Sequence, residues 1–211
     1  MLARDVRARI DGSAVQPRDL EFTLRSLEPS GWLSAARRFA TALRAAGHEP
    51  GRLLVVGTPD DEPWHLTAHL DQSARWQGVP SMRPVLVRWH VPPGAPPHLS
   101  VGVDAVHRAE RGTTVLVAAA TAADEHLLER LHDARRGGAA LFALHPGAGP
   151  LDELVHASLT LPISGVRSAA EGFETATHVV STVAAGEPQR RRSRWRPTSG
   201  SSARARCDPN G

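Results

Sequence analysis

The sequence predicts an α/β domain: a five-stranded parallel sheet held as the middle layer of a three-layer sandwich. Two observations carry this. Short runs that are apolar on both faces recur along the chain, and stretches with helical apolar spacing separate them. The central stretch, Gly112–Pro162, shows the pattern most fully. Thr113–Ala120 (TTVLVAAA) is a strand-length apolar run. Ala123–Arg136 places Leu127, Leu128 and Leu131 on one helical face. Ala139–Leu144 is the next strand, Leu151–His156 a short helix, and Ser158–Leu161 a last strand.

Taken in order, residues 1–29 read as a helical extension broken by Asp11-Gly12 and Pro17. Ser30–Ala46 is a helix whose stripe is Trp32, Leu33, Ala36, Phe39, Ala40 and Leu43, stopped by Gly47. Leu53–Val56 is the first strand. A loop, 57–63, leads into a helix from Trp64 to Gln77, with Pro63 suited to its first turn. Pro84–Val91 holds the second strand, centred on 85–90, and a short helix spans about Asp104–Arg111. The remaining strands lie at 113–120, 139–144 and 158–161, and Ala169–Ala184 is a closing helix. Residues 30–186 thus form the domain. Residues 187–211, rich in Arg, Ser, Pro and Gly, read as a disordered tail.

Charge is divided unevenly. Seven of the 25 Arg fall in residues 187–211, beside only Glu187 and Asp208. Residues 1–186 hold 18 Arg against 20 Asp and Glu, so the basic pI belongs to the tail and the folded part is no nucleic-acid surface. The Arg run Arg190–Arg196 is read as a solvated extension rather than a nucleic-acid or lipid contact. No apolar run approaches the roughly 18–20 residues that span a bilayer. The N-terminus lacks the apolar core of a signal peptide, and Cys207 is the single cysteine, so a cytoplasmic protein without disulfides is expected.

Ligands of such sheets bind beyond the carboxyl ends of the strands. That directs attention to loops 57–63, 119–125, 145–150 and 162–168. Gly149–Pro162 (GPLDELVHASLTLP), preceded by an apolar strand after a glycine, a helix and a second strand, resembles the latter half of a SIS (sugar isomerase) domain. Leu53–Gly57 followed by a helix is similar to that family's first strand and first ligand loop. The resemblance covers roughly residues 30–186. It implies a flavodoxin-like topology, a homodimer or homotetramer, and a sugar-phosphate ligand handled by an isomerase or a regulator.

The family's two ligand motifs are altered here. G-x-G-x-S becomes Gly57-Thr58-Pro59-Asp60-Asp61, and S-x-S-G-x-T becomes Ala119-Ala120-Thr121-Ala122-Ala123-Asp124. A phosphate needs free amide N–H groups at the positive end of a helix. Here Thr121-x-x-Asp124 has the pattern of a capping box, and Asp60, Asp61, Glu62, Asp124 and Glu125 already place negative charge there. A carboxylate about 5 Å from a phosphate charge costs roughly 3 kcal/mol at an effective dielectric near 20, or about a hundredfold in affinity. Ordinary helix caps are therefore preferred to phosphate cradles. The remaining candidates for ligand contact are Gly57, Thr58, Thr121, Gly147, Gly149, and the cluster Ser164, Gly165, Arg167 and Ser168.

Acid–base and metal candidates lie on two helices. His65 and His69 are four apart and share a helical face, a spacing that offers two imidazoles to one zinc ion. The resemblance puts Thr67 and Asp71, two residues away, where the phosphoheptose isomerase branch carries its metal-binding His and acid. It also aligns His178 with that branch's later His. Glu171 and Glu174 precede His178 and suit general acid–base roles. No cofactor is required on this reading, and zinc is an option only. The function expected is a non-catalytic, carbohydrate-derivative binding, regulatory or oligomeric module that associates through Trp32, Phe39, Leu43 and the closing helix. The alternative is a divergent phosphosugar isomerase, metal-assisted or not.

Overall fold

A computed structural model of the chain describes Arg25 and residues 27–47, 49–161 and 169–185; within the last helix the side chains of 169–171 and 185 lie outside the description. Most of the N-terminal extension, the loop 162–168 and the tail therefore fall outside it. The strands are β1 (Leu53–Val56), β2 (Pro84–Val87), β3 (Thr114–Ala118), β4 (Ala140–His145) and β5 (Ala157–Thr160). All neighbouring pairs are parallel and the order is β2-β1-β3-β4-β5. The five-stranded α/β sandwich expected from the sequence is the fold observed.

The helices are α1 (Trp32–Ala46), α2 (Trp64–Gln77), α3 (Asp104–His107), α4 (Glu125–Arg136), α5 (Pro150–Leu154) and α6 (Ala169–Ala185). Side chains of β1 and β3 alternate between two cores, as a pleated strand requires. Leu53, Val55 and Leu116 pack with Phe39, Leu43, Leu66, Leu70 and Val180 of α1, α2 and α6. Leu54, Val56, Val115 and Val117 pack with Val106, Leu127, Leu131 and Leu151 of α3, α4 and α5. Residues of these strands are buried on both sides, which is why their sequences are continuously apolar.

Element ends follow local chemistry. The Ser30 hydroxyl accepts from the Trp32 N–H, ahead of α1. Gly78 ends α2 in the left-handed conformation, φ 65°, with the Val79 N–H returned to the Ala74 carbonyl. The buried Thr114 hydroxyl donates to the carbonyl of Ala46, tying the end of α1 to β3.

Two elements are shorter than the sequence suggests. β2 stops at Val87, because β1 ends opposite it and Arg88 bridges to Gly102 instead. The helix at 104–111 ends at His107. Beyond it the Ala109 carbonyl presses on Gly137, where an added Cβ would meet it at 2.5 Å, and the Arg111 N–H bonds to the Gly137 carbonyl.

The expected association surface is also revised. Phe39 and Leu43 lie inside the fold, Phe39 edge-to-face with Phe142 at 5.7 Å between ring centres. Trp32 is half-buried, and its indole N–H donates to the Thr160 carbonyl on β5. The apolar stripe of α1 meets its own sheet, so it is not a free face. Phe39→Ala is accordingly expected to cost about 3–5 kcal/mol in stability by chemical denaturation, with no specific effect on association. An unchanged midpoint together with a shift in oligomer state would place Phe39 at an interface.

Candidate functional site

The chain leaves β1 toward β2 on one side and β3 toward β4 on the other, so the switch point lies between the carboxyl ends of β1 and β3. The loops there, 57–63 and 119–124, hold Gly57, Thr58 and Thr121. Loop 57–63 folds back on itself. Thr58 and Asp61 form an antiparallel bridge, and the Asp61 N–H donates to the Thr58 carbonyl at 3.2 Å. The turn is so close that a Cβ on Gly57 would sit 2.0 Å from the Asp61 carbonyl oxygen and 2.8 Å from Pro63 Cδ. Gly57 is thus a packing requirement, and Thr58 is buried beneath the turn with its hydroxyl unpartnered.

Residues from β2's end fasten this loop. The Trp89 indole donates to the Gly57 carbonyl at 3.0 Å. Glu62 accepts from Arg88 Nε at 3.2 Å and from the Trp64 indole at 3.0 Å, and the Arg88 guanidinium lies 4.9 Å from the Trp64 ring centre. The Arg88 and Glu62 side chains are only 17% and 15% exposed, so this pair is shielded from the screening that weakens surface ion pairs.

At the second loop the N-cap of α4 is Asp124, whose carboxylate accepts from the Leu127 N–H at 2.8 Å. The expected Thr121-x-x-Asp124 box does not form, because the N-cap is Asp124 itself and the helix starts at Glu125, and Thr121 is left exposed. At the third loop the Asp152 carboxylate accepts from the Gly149 N–H at 3.0 Å, and the Asp152 N–H donates to the Gly149 carbonyl. Gly147 and Gly149 have open space around them and no left-handed backbone. Asp152 sits below the usual carboxylate range through hydrogen bonding from Ser158, then from the Gly149 amide and the nearby His145.

His145 and Asp152 form a pair that sequence spacing does not reveal. His145, 4% exposed at the end of β4, has Nδ1 2.6 Å from the Gly147 carbonyl oxygen. Its Nε2 lies 3.1 Å from Asp152 Oδ1, a close approach without hydrogen-bond alignment. The available signal was Gly149-Pro150-Leu151-Asp152, a helix start that places an acid back over its own first amide.

The acid–base candidates converge across a seam between α2 and α6. His65 Nδ1 lies 3.1 Å from Glu174 Oε1. One turn along both helices, His69 and His178 meet edge-to-face at 5.9 Å between ring centres. Asp61 joins from loop 57–63: burial raises its pKa, and the charge of Glu174 raises it further. Burial lowers the pKa of His178, assisted by repulsion from His69.

Thr67 and Asp71 have structural partners. The Thr67 hydroxyl donates to the Pro63 carbonyl, and Asp71 accepts from Arg75 at 2.7 Å and Arg83 at 3.1 Å. Burial opposes ionisation of Asp71, but the two guanidinium groups outweigh it and lower its pKa. Glu171 lies on α6, with its side chain outside the description. Ser164, Gly165, Arg167 and Ser168 fall outside the described residues. Among the described residues no group of three or more His, Cys, Asp or Glu is placed to hold a metal ion, and His65 and His69 each face a partner on α6. Among them, too, no helix is long and apolar enough to cross a membrane.

No family model and no curated protein matches the sequence. Solved structures similar in fold include the following two. The Vibrio vulnificus NanR protein, complexed with ManNAc-6P, is 10% identical with a TM-score of 0.48, over 86% of this chain and 64% of that one. A candidate sugar-binding protein from Salmonella typhimurium LT2 is 18% identical with a TM-score of 0.49, over 81% of this chain and 49% of that one. The chain therefore spans less than two thirds of either protein.

Two outcomes follow from this geometry. Gly57→Ala drives a Cβ into backbone that no rotamer change relieves. A loss of roughly 1–3 kcal/mol is expected, read as a fall in Tm of about 2–4 °C per kcal/mol; an unchanged Tm contradicts the close turn. For His178 the folded pKa is below 6.5, so the unfolded chain binds more protons as pH falls through 6.5, and this residue's contribution to stability is lost on acidification. Asp61 has the reverse sign: its raised folded pKa makes its ionisation cost stability as pH rises above 3.8. NMR titration should place the His178 midpoint below 6.5 and move it upward in His69→Ala. A midpoint at or above 6.5 in the unaltered chain would contradict the seam.

Proposed function

We propose that this chain is a sugar isomerase-like module that binds a carbohydrate derivative without turning it over, in a regulatory or oligomeric role. One observation carries the reading. At the carboxyl edge of the sheet the chain closes its own ligand loops: loop 57–63 by its backbone, and the starts of α4 and α5 by Asp124 and Asp152. The Asp61, Leu127 and Gly149 amides there already have partners, and added negative charge meets carboxylates. The exposed Thr121 is the point of ligand approach on this reading, with Ser164, Gly165, Arg167 and Ser168 as the further hydroxyl and cationic candidates.

A second reading is favoured by the convergence of Asp61, His65 and Glu174. A carboxyl with a raised pKa beside an imidazole–carboxylate pair is an arrangement that can move protons. In an isomerase, Glu174 or Glu171 would take the proton next to the substrate carbonyl, and His178, kept neutral, would serve as its partner. This reading stands with or without a zinc ion, for which His65 and His69 are the candidate ligands.

The discriminating experiment incubates the full chain with ManNAc, ManNAc-6P and a panel of aldose phosphates in D₂O. Thermal shift reads binding, and NMR reads deuterium entering at the carbon next to the carbonyl. The module predicts a shift for at least one sugar, no larger for the phosphate than for the free sugar, and no deuterium. Deuterium incorporation abolished by Glu174→Gln establishes the isomerase and overturns the module. No shift with any sugar overturns carbohydrate binding itself.

A further inference from the structure

On the face of the sheet opposite α6, a groove of about 500 Å³ runs between α4 and α5. Its floor is apolar, from Leu128, Leu154 and Pro150, and its rim is acidic, from Glu129, Asp133 and Glu153, with His132 beside them. The partners seen for two of these acids are histidines: His107 lies 3.0 Å from Asp133 and His126 3.9 Å from Glu129. Arg135, at the α5 end, donates to the carbonyl oxygens of Glu153 and Leu154. The groove therefore offers carboxylates around an apolar floor, a surface suited to an Arg-rich segment that carries an aromatic ring.

We propose that the occupant is the chain's own segment Arg190–Arg196, with the Trp195 ring on the Leu128–Leu154 floor and its arginines on Glu129, Asp133 and Glu153. Charge divides accordingly, with seven Arg and two acids in residues 187–211 against a body that is net acidic. From the end of α6 at Ala185, an extended chain places Trp195 up to about 35 Å away, a reach on the scale of a body whose radius of gyration is about 15 Å. Exposed ion pairs are individually weak, but a tethered segment meets the groove at an effective concentration on the order of millimolar. Docking in cis therefore needs only modest intrinsic affinity, and it is salt-dependent.

Cys207 is the single cysteine, so a nitroxide can be attached there, or at Ser193→Cys in a Cys207→Ser background, in the full-length ¹⁵N-labelled chain. Docking predicts selective loss of amide signal over Glu129–Asp133 and Leu151–Leu154, stronger from position 193 than from 207. The loss should disappear in 1 M salt, where the Debye length is about 3 Å. It should also disappear in Glu129→Arg/Glu153→Arg, two exposed positions, and in Arg190→Gln/Arg191→Gln/Arg192→Gln. Signal loss spread evenly, centred on the α1–α6 groove lined by Leu33, Val179 and Val183, or retained in the charge variants overturns the proposal. So does loss seen only between spin-labelled and ¹⁵N-labelled molecules in a mixture, which would assign the groove to a second copy's tail.

Discussion

The approach of the Asp61 carbonyl to Gly57 is the constraint on which the candidate site depends. With no side chain at 57 the loop doubles back within five residues, and that return sets where α2 begins. Glu62 is then brought under Arg88 and Trp64, and the Gly57 carbonyl meets the Trp89 indole. The direction of α2 follows, and with it the meeting of His65 and His69 with α6. A single backbone contact at the end of β1 thus fixes the register of the helix seam some residues away.

The loops of the carboxyl edge solve one problem in three ways. Helix starts leave amide donors without intrahelical partners, and open α/β sheets gather several such starts on one edge. Here Asp124 and Asp152 fill that need within α4 and α5, while α2 is entered through Pro63 and a hydrogen-bonded turn. This favours stability of the edge over its openness to anions. The chemistry that remains is displaced sideways, to the α2–α6 seam, where opposed pKa shifts on Asp61 and His178 arise from burial and like-charge neighbours.

Much of the fold was legible from periodicity, because strands buried on both faces leave continuous apolar runs and their covering helices leave stripes. Leu53–Val56 and Trp64–Gln77 match the observed elements at both ends. Tertiary partners decided what periodicity could not. β2 ends where its neighbour does, and the Asp104 helix ends where the chain must reach Gly137. The site was legible in residue type more than in pairing. Glu174 and His178 were recognisable as acid–base candidates, but their partners lie more than a hundred positions away on α2, beyond any local spacing rule. The Glu62–Arg88–Trp64 cluster and the His145–Asp152 pair join residues closer in sequence but on different elements and loops, where no single helix or strand period runs.

The bond from Trp32 to the Thr160 carbonyl has a bearing on how copies of this chain can meet. β5 is a sheet margin, and margins with vacant backbone groups invite strand addition from other molecules. The last carbonyl of β5 is already occupied by an indole, the strand is only four residues long, and the start of α1 lies across it. A continuous intermolecular sheet is therefore obstructed at the β5 margin, so strand addition there would first have to displace the Trp32 indole.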